Sequence, residues 1–166
     1  MTIMHACLHD TSECYLTSAG IFALPMQSAC RARLNSDQTG IVTDTWTLLE
    51  IVDTSDYDAQ GEFNNTTHRF TATEDGRYIV AASGYIDAVG ADMRMGIIIR
   101  KNGVNAGCFA YSTHGSNASP IGRAAPDIFN LDATDYLELW VYHDHGADRT
   151  AQAVVYTNYM AVHKIA

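Results

Sequence analysis

The chain has 166 residues, 47% of them hydrophobic, and a formal net charge of -9 from 10 Lys+Arg against 19 Asp+Glu. That is one ordinary domain with enough apolar residues for a core, which excludes wholesale disorder. Nucleic-acid phosphates repel so acidic a chain, and no run of about 18 apolar residues is available to insert in a membrane.

Residues 1–27 differ from the rest. They hold no Lys or Arg, the first basic residue being Arg31, and His5, His9, Asp10 and Glu13 break their weakly apolar stretch. No signal peptide is read there, so the expectation is a chain that starts near Met1 and folds in a cytoplasm. Its cysteines, Cys7, Cys14, Cys30 and Cys108, are then expected to be reduced, with Cys7 and Cys14 the pair to watch for a disulfide. His5, Cys7, His9 and Cys14 are of zinc-ligand type, but their spacing fits no zinc-site pattern, and an arm with incidental soft residues accounts for them. The segment closes on Ile21-Phe22-Ala23-Leu24-Pro25. It reads as a docking arm with Ile21, Phe22, Leu24 and Pro25 as contacts, too short to fold alone.

From Ser28 onward strand follows strand. Thr45 to Val52 is rich in β-formers. Asp53, Asp56 and Asp58 make an acidic stretch that lacks the Gly and distant Glu of a calcium loop and reads as a solvated turn. Phe63 and His68 to Thr71 form a pair of short strands, and Asp75-Gly76 is a turn signal. Arg77 to Ile86 is a long strand with Tyr78, Val80 and Ala82 on one face and Ile79, Ala81 and Ser83 on the other. Both faces are apolar or small, as in a strand buried on two sides. Met95 to Arg100 leads through an Asn102-Gly103 turn into Cys108 to Ser112, a hairpin. Ile121 to Leu131, Asp135 to His143 and Ala153 to Ile165 complete the set. Neither a helix nor a repeat is evident. About eight evenly spaced strands predict an all-β sandwich or jelly roll.

Five segments in order resemble the C1q/tumour-necrosis-factor family. Tyr57 to Phe63 resembles its "Y-d-x-x-t-G-x-F", Phe70 to Val80 its "F-x-a-P-x-x-G-x-Y" strand entry, and Arg100 to Gly103 its "l-x-k-N-G" hairpin. Leu131 to Leu139 resembles "L-x-x-G-D-x-v-x-l", and Tyr156 to Met160 stands where an aromatic-rich last strand belongs. Thr73 replaces a frequent Pro, and Thr134 and Asn158 each replace a frequent Gly. The resemblance covers 28–166. It implies a jelly-roll sandwich of ten strands, assembled as a homotrimer, in a family that binds and builds rather than catalyses. With 12 Gly and no G-X-Y period, the collagen stalk of secreted animal members is missing.

Nine Tyr, five Phe and two Trp are many for such a domain. Tyr78, Tyr85, Tyr142, Tyr156 and Tyr159 are candidates for the subunit interface, where aromatics with a polar tip are favoured; ordinary core positions would explain each equally. Ser112 with His114, and His143-Asp144-His145 with Asp148, hold catalytic or ligand residue types, but there is no G-x-S-x-G elbow and the oxygen-ligand set is thin. No catalytic, cofactor or metal site is expected.

Two roles follow from the resemblance, both in a bacteriophage virion. The first is a capsid decoration (cement) protein, a homotrimer clamped by its arms onto the major capsid protein or another virion protein. The second is the tip of a tail or head fibre that binds a host receptor or glycan through the loops carrying His114, Asn117, Asp144 and Arg149. The absence of a shaft, heptads or repeats before residue 28 favours the first.

Overall fold

The computed structural model describes residues 15–16, 22–23, 27–89, 92–113 and 119–166. His5, Cys7, His9, Cys14, Ile21, Leu24, Pro25, His114 and Asn117 lie outside the described residues. The strands in chain order are β1 (Tyr15–Leu16), β2 (Phe22–Ala23), β3 (Ala29–Arg33), β4 (Gln38–Ile41), β5 (Thr47–Leu48), β6 (Asp53–Asp58), β7 (Phe63–Asn64), β8 (Arg69–Thr71), β9 (Gly76–Val89), β10 (Arg94–Lys101), β11 (Val104–Thr113), β12 (Ser119–Leu131), β13 (Tyr136–His143), β14 (Arg149–Ala151) and β15 (Tyr159–Lys164). No helix occurs among the described residues, and so none long and apolar enough to cross a membrane.

β1 and β2 pair with each other in a two-stranded ladder. The other strands build two antiparallel sheets. The β9 sheet has seven strands in the order β4-β14-β9-β15-β3-β6, with β12 along the opposite edge of β9. The β13 sheet has six, β11-β10-β13-β8-β7, with β5 also beside β13. Their inner faces pack as a sandwich. Tyr78, Val80, Ala82 and Ile86 of β9 and Met160 and Val162 of β15 meet Met95, Ile97 and Ile99 of β10 and Leu137, Leu139 and Val141 of β13, all buried. Each of the Val, Leu, Ile and Met side chains contributes about 1.5–3 kcal/mol by leaving water. Gly84 lets the sheets close, since a Cβ there would overlap the Ile97 Cγ2 methyl.

The Asn102-Gly103 hairpin forms as the sequence predicts. Both residues are left-handed (φ 52° and 77°), and Lys101 stands opposite Val104. Its second strand is longer than expected, running from Val104 to Thr113 with two shifts of register. Ile97 faces Ala110 while Ile99 faces Gly107, and Cys108 takes up the extra residue at φ 50°.

Four expectations are corrected. Thr45 to Val52 is not one strand but a crossing between the sheets. The Leu49 amide donates to Leu139 of one sheet, and the Val52 amide donates to Arg33 of the other. Leu49 and Ile51 fill the core between them. The Gln38 amide group satisfies the passing backbone, donating to the Leu48 carbonyl (2.9 Å) and accepting from the Glu50 amide (2.9 Å). The acidic stretch is no solvated turn but strand β6, whose Asp53 and Asp56 form ion pairs with Arg33 and Arg31 of β3. The Asp58 carboxylate accepts the Glu62 and Phe63 amides. Strand β9 is buried on one face only; within this chain its second face is half-exposed. Finally, Ala153 to Ile165 is a strand only over Tyr159–Lys164, preceded by a loop that ends on left-handed Asn158 (φ 43°).

Candidate functional site

The five candidate interface tyrosines do not share one surface. Tyr78 is fully buried in its own chain, its hydroxyl donating to the Glu74 carbonyl (2.8 Å). It has no surface left for a second subunit and is a core residue. Tyr85 and Tyr159 lie on the outward face of the β9 sheet, half-buried. Tyr142 faces outward on the other sheet, and Tyr156, 76% exposed, sits in the loop before β15. Of the arm residues, Phe22 falls in strand β2.

The outward face of the β9 sheet is built in rows across paired strands. Ile128 of β12 stands opposite Ile79 of β9, which stands opposite His163 of β15. The next row is Pro126, Ala81, Ala161, Arg31 and Tyr57. Ile79 and Ile128 are 41% and 57% exposed, side by side. Towards β6 the face turns polar. The Arg31 guanidinium lies 4.4 Å from the Tyr159 ring centre and pairs with Asp56, while Arg33 pairs with Asp53 at 2.7 Å. His163 Nε2 and the Tyr57 hydroxyl are 2.9 Å apart. The face is an apolar strip beside a belt of aromatics and closed ion pairs.

Much of the outward face of the β13 sheet is covered by its own side chains, with Phe109 and Tyr111 left exposed. Burial of Glu138 is matched by the Arg69 Nε (2.7 Å) and the Trp140 indole N–H (3.2 Å). Arg100 lies 3.8 Å from the Trp140 ring centre and Arg69 4.1 Å from that of Tyr136. At the far end the rings meet one another instead. Tyr111 is the hub, with centroids 5.0 Å from Phe109, 5.8 Å from Tyr142 and 6.1 Å from Trp46; Trp46 and Tyr142 are 5.5 Å apart. The Tyr111 ring lies over Gly96, where a Cβ would come within 3.1–3.3 Å of three ring carbons. Burial raises the Tyr111 and Tyr142 hydroxyls above their usual range, and Tyr142 donates to Asp44 (3.0 Å).

His143 is fully buried, Nε2 donating to the Ile41 carbonyl (2.7 Å) and Nδ1 accepting from the His145 amide (3.3 Å). Burial, with Arg149 and His143 adding to it, holds the His145 imidazole below its usual range. Burial alone would raise the Asp144 carboxyl, but the Arg94 amide and guanidinium (2.5 and 2.6 Å) outweigh it and hold the group low. Arg149 belongs to strand β14, half-buried rather than at a loop tip. Cys30 and Cys108 are free, and burial raises both thiols, Cys108 to about 12. Among the described residues no three His, Cys, Asp or Glu side chains converge to hold a metal ion.

Sequence reasoning missed Ile128, Pro126, Trp46, Phe109 and Tyr111. The i, i+2 spacing of Phe109 and Tyr111 is a legible signal of one shared face. Trp46 joins them only through the β5–β13 register, which sequence does not display.

No family model matches the chain, and no curated protein matches it in sequence. Solved structures do match in shape. The globular domain of the zebrafish complement 1qA protein superposes with a TM-score of 0.63 at 12% identity, over 84% of this chain and 98% of that one. The Eiger TNF from S. frugiperda gives 0.61 at 14% identity, over 84% and 93%. With two antiparallel sheets, buried inner faces and these shape matches, the chain has the C1q/tumour-necrosis-factor jelly-roll fold.

Proposed function

We propose that this chain is a non-enzymatic structural protein of a phage virion, a trimeric capsid decoration (cement) protein made in the host cytoplasm. The observation that carries the assembly is the apolar strip on the β9 sheet, where Ile79 and Ile128 stand exposed in adjacent strands. An apolar pair in adjacent strands of an ordered sheet face marks an interaction surface, and a copy of the same chain supplies a partner for it. Jelly rolls serve in viral capsids and in lectins alike. The apolar segment Ile21-Phe22-Ala23-Leu24-Pro25 supports the clamp, and β1 and β2 pair outside both main sheets. Three arms on one trimer engage a lattice with avidity. The major capsid protein or another virion protein is the partner.

A second reading, a fibre tip that recognises a host glycan, is favoured by the ring cluster around Tyr111. Immunogold labelling of particles from the source culture separates the two. Gold spread over icosahedral heads supports decoration; gold at tail ends or on fibres supports recognition; label on no particle overturns both. Deleting residues 1–25 is expected to leave the trimer intact and abolish its binding to particles. Undiminished binding would refute the clamp.

A further inference from the structure

The rings of the β13 sheet divide into two kinds. Trp140 and Tyr136 are capped by guanidinium groups at 3.8 and 4.1 Å, which use up their faces. Among the described residues no guanidinium caps Trp46, Phe109, Tyr111 or Tyr142 so closely; Arg94 stands 6.0 Å from the Tyr111 centre, at the limit of a cation–π contact. Phe109 is 58% exposed and Tyr111 39%, in the interior of a strand rather than at a chain end. We propose that this four-ring cluster is a binding platform for a neutral carbohydrate, a pyranose stacked on Phe109 and Tyr111. The proposal rests on the recognition reading and gives that reading its ligand class and residues.

Three observations point to a sugar. The platform is preformed, because Tyr111 is wedged between three rings and the bare backbone of Gly96. A rigid ring pair holds a ligand at little ordering cost. The platform is also small. With aromatic side chains of 150–250 Å² each, these two exposures leave roughly 200 Å² of ring surface, well under the roughly 800 Å² per side of a standard protein interface. That area suits one or two sugar rings. Lastly, the rim is polar and balanced. Asp44 accepts the Tyr142 hydroxyl at 3.0 Å, and Arg94 is paired with Asp144 at 2.6 Å. A pyranose offers C–H faces to the rings and hydroxyls to such a rim. A chain of net charge -9 disfavours an acidic sugar.

The test uses the full chain, titrated with maltotriose, cellotriose, mannotriose and galactobiose and followed by tryptophan fluorescence. Trp140→Phe removes the signal of the capped indole and leaves that of Trp46. At least one sugar is expected to give a saturable change, with Phe109→Ala and Tyr111→Ala each weakening it at least about tenfold, the scale of an anchoring aromatic. Tyr111 covers Gly96, so its loss also disturbs packing; Phe109 is exposed, and its removal leaves the fold intact. No saturable change with any of the four sugars overturns the proposal, and so does binding unaltered in Phe109→Ala. Adhesion of the labelled chain to cells of the source culture tests the parent reading separately. Equal adhesion by wild type and Phe109→Ala leaves recognition standing and removes the platform. Sugar binding without adhesion keeps the platform and removes recognition.

Discussion

Thr134 holds a left-handed backbone at φ 79°, donating its amide to the Ala72 carbonyl (2.8 Å). A β-branched residue is strained there, and glycine is not. Thr134→Gly is therefore expected to stabilise the chain by about 1 kcal/mol, read as a higher urea midpoint at unchanged slope. A lower midpoint would show that the turn needs its side chain. The other two departures from the family pattern are supported by partners. Thr73 gives both its amide (3.0 Å) and its hydroxyl (2.8 Å) to the buried Glu62 carboxylate, which the amide of a proline cannot do. Asn158 tolerates φ 43° because its side chain brackets Tyr85, accepting its amide (2.7 Å) and donating to its carbonyl (2.8 Å). All three departures are visible in the sequence. Their reasons are not, because each lies in a partner 11 to 73 residues away or in a dihedral angle. In the same turn, Lys101 and Asn102 donate to the Asp135 carboxylate (both 2.6 Å), as does the Asp132 amide (2.9 Å). These contacts lower its pKa from 3.8 to about 2. A folded value below the unfolded one means stability that is fully present above about pH 4 and lost as pH falls through about 2. Asp135→Asn is expected to cost about 1 kcal/mol at pH 7 and to converge on wild type near pH 2, measured by urea unfolding across that window. A penalty independent of pH would disprove this assignment.

Elements closed by local chemistry are the ones a reader of the sequence finds. The Asn102-Gly103 hairpin needs only two left-handed residues between β-formers, and the alternation of β13 shows Leu137, Leu139 and Val141 turned inward. Elements decided by distant partners are misread. Thr45 to Val52 has strand composition, yet it crosses between sheets because Leu49 and Ile51 are drawn into the core. Acidic β6 is a strand because Arg31 and Arg33 stand opposite it. The crossing depends on one side chain, since the Gln38 amide group stands in for a strand partner to Leu48 and Glu50. Gln38→Ala leaves a part-buried carbonyl without its donor and is expected to cost about 1–2 kcal/mol. Hydrogen exchange at the Glu50 amide should rise beyond the change in global stability. Protection equal to wild type would mean that another group holds the crossing.

The two outer faces of this sandwich are finished differently, and the difference sets what each can do. On the β13 sheet the chain covers its middle, where Gly96 and Ile98, on the outward side of β10, are buried beside Tyr111 and Trp140, and what stays exposed is the ring pair Phe109 and Tyr111 at one end. On the β9 sheet Ile79 and Ile128 stand exposed, with Arg77 on the same face two residues before Ile79 and opposite Asn130, while Arg31 and Arg33, farther across the sheet, are held by Asp56 and Asp53. Which face stays open was not legible from the alternation of β9, both of whose faces are apolar or small. It depends on which arginines fold over which rings. If the open strip is the subunit contact, the 18.2 kDa chain sediments at about three times that mass. The double variant Ile79→Arg, Ile128→Arg should then run as a monomer with its β-sheet circular dichroism unchanged, because both positions are exposed within one chain. Two buried charges per contact cost far more than the assembly gains there. Phe109→Ala, on the opposite sheet, should leave the assembly mass alone. A wild-type mass of 18.2 kDa, or a double variant that keeps the larger one, would remove the β9 face from the assembly and leave the arm to explain any docking.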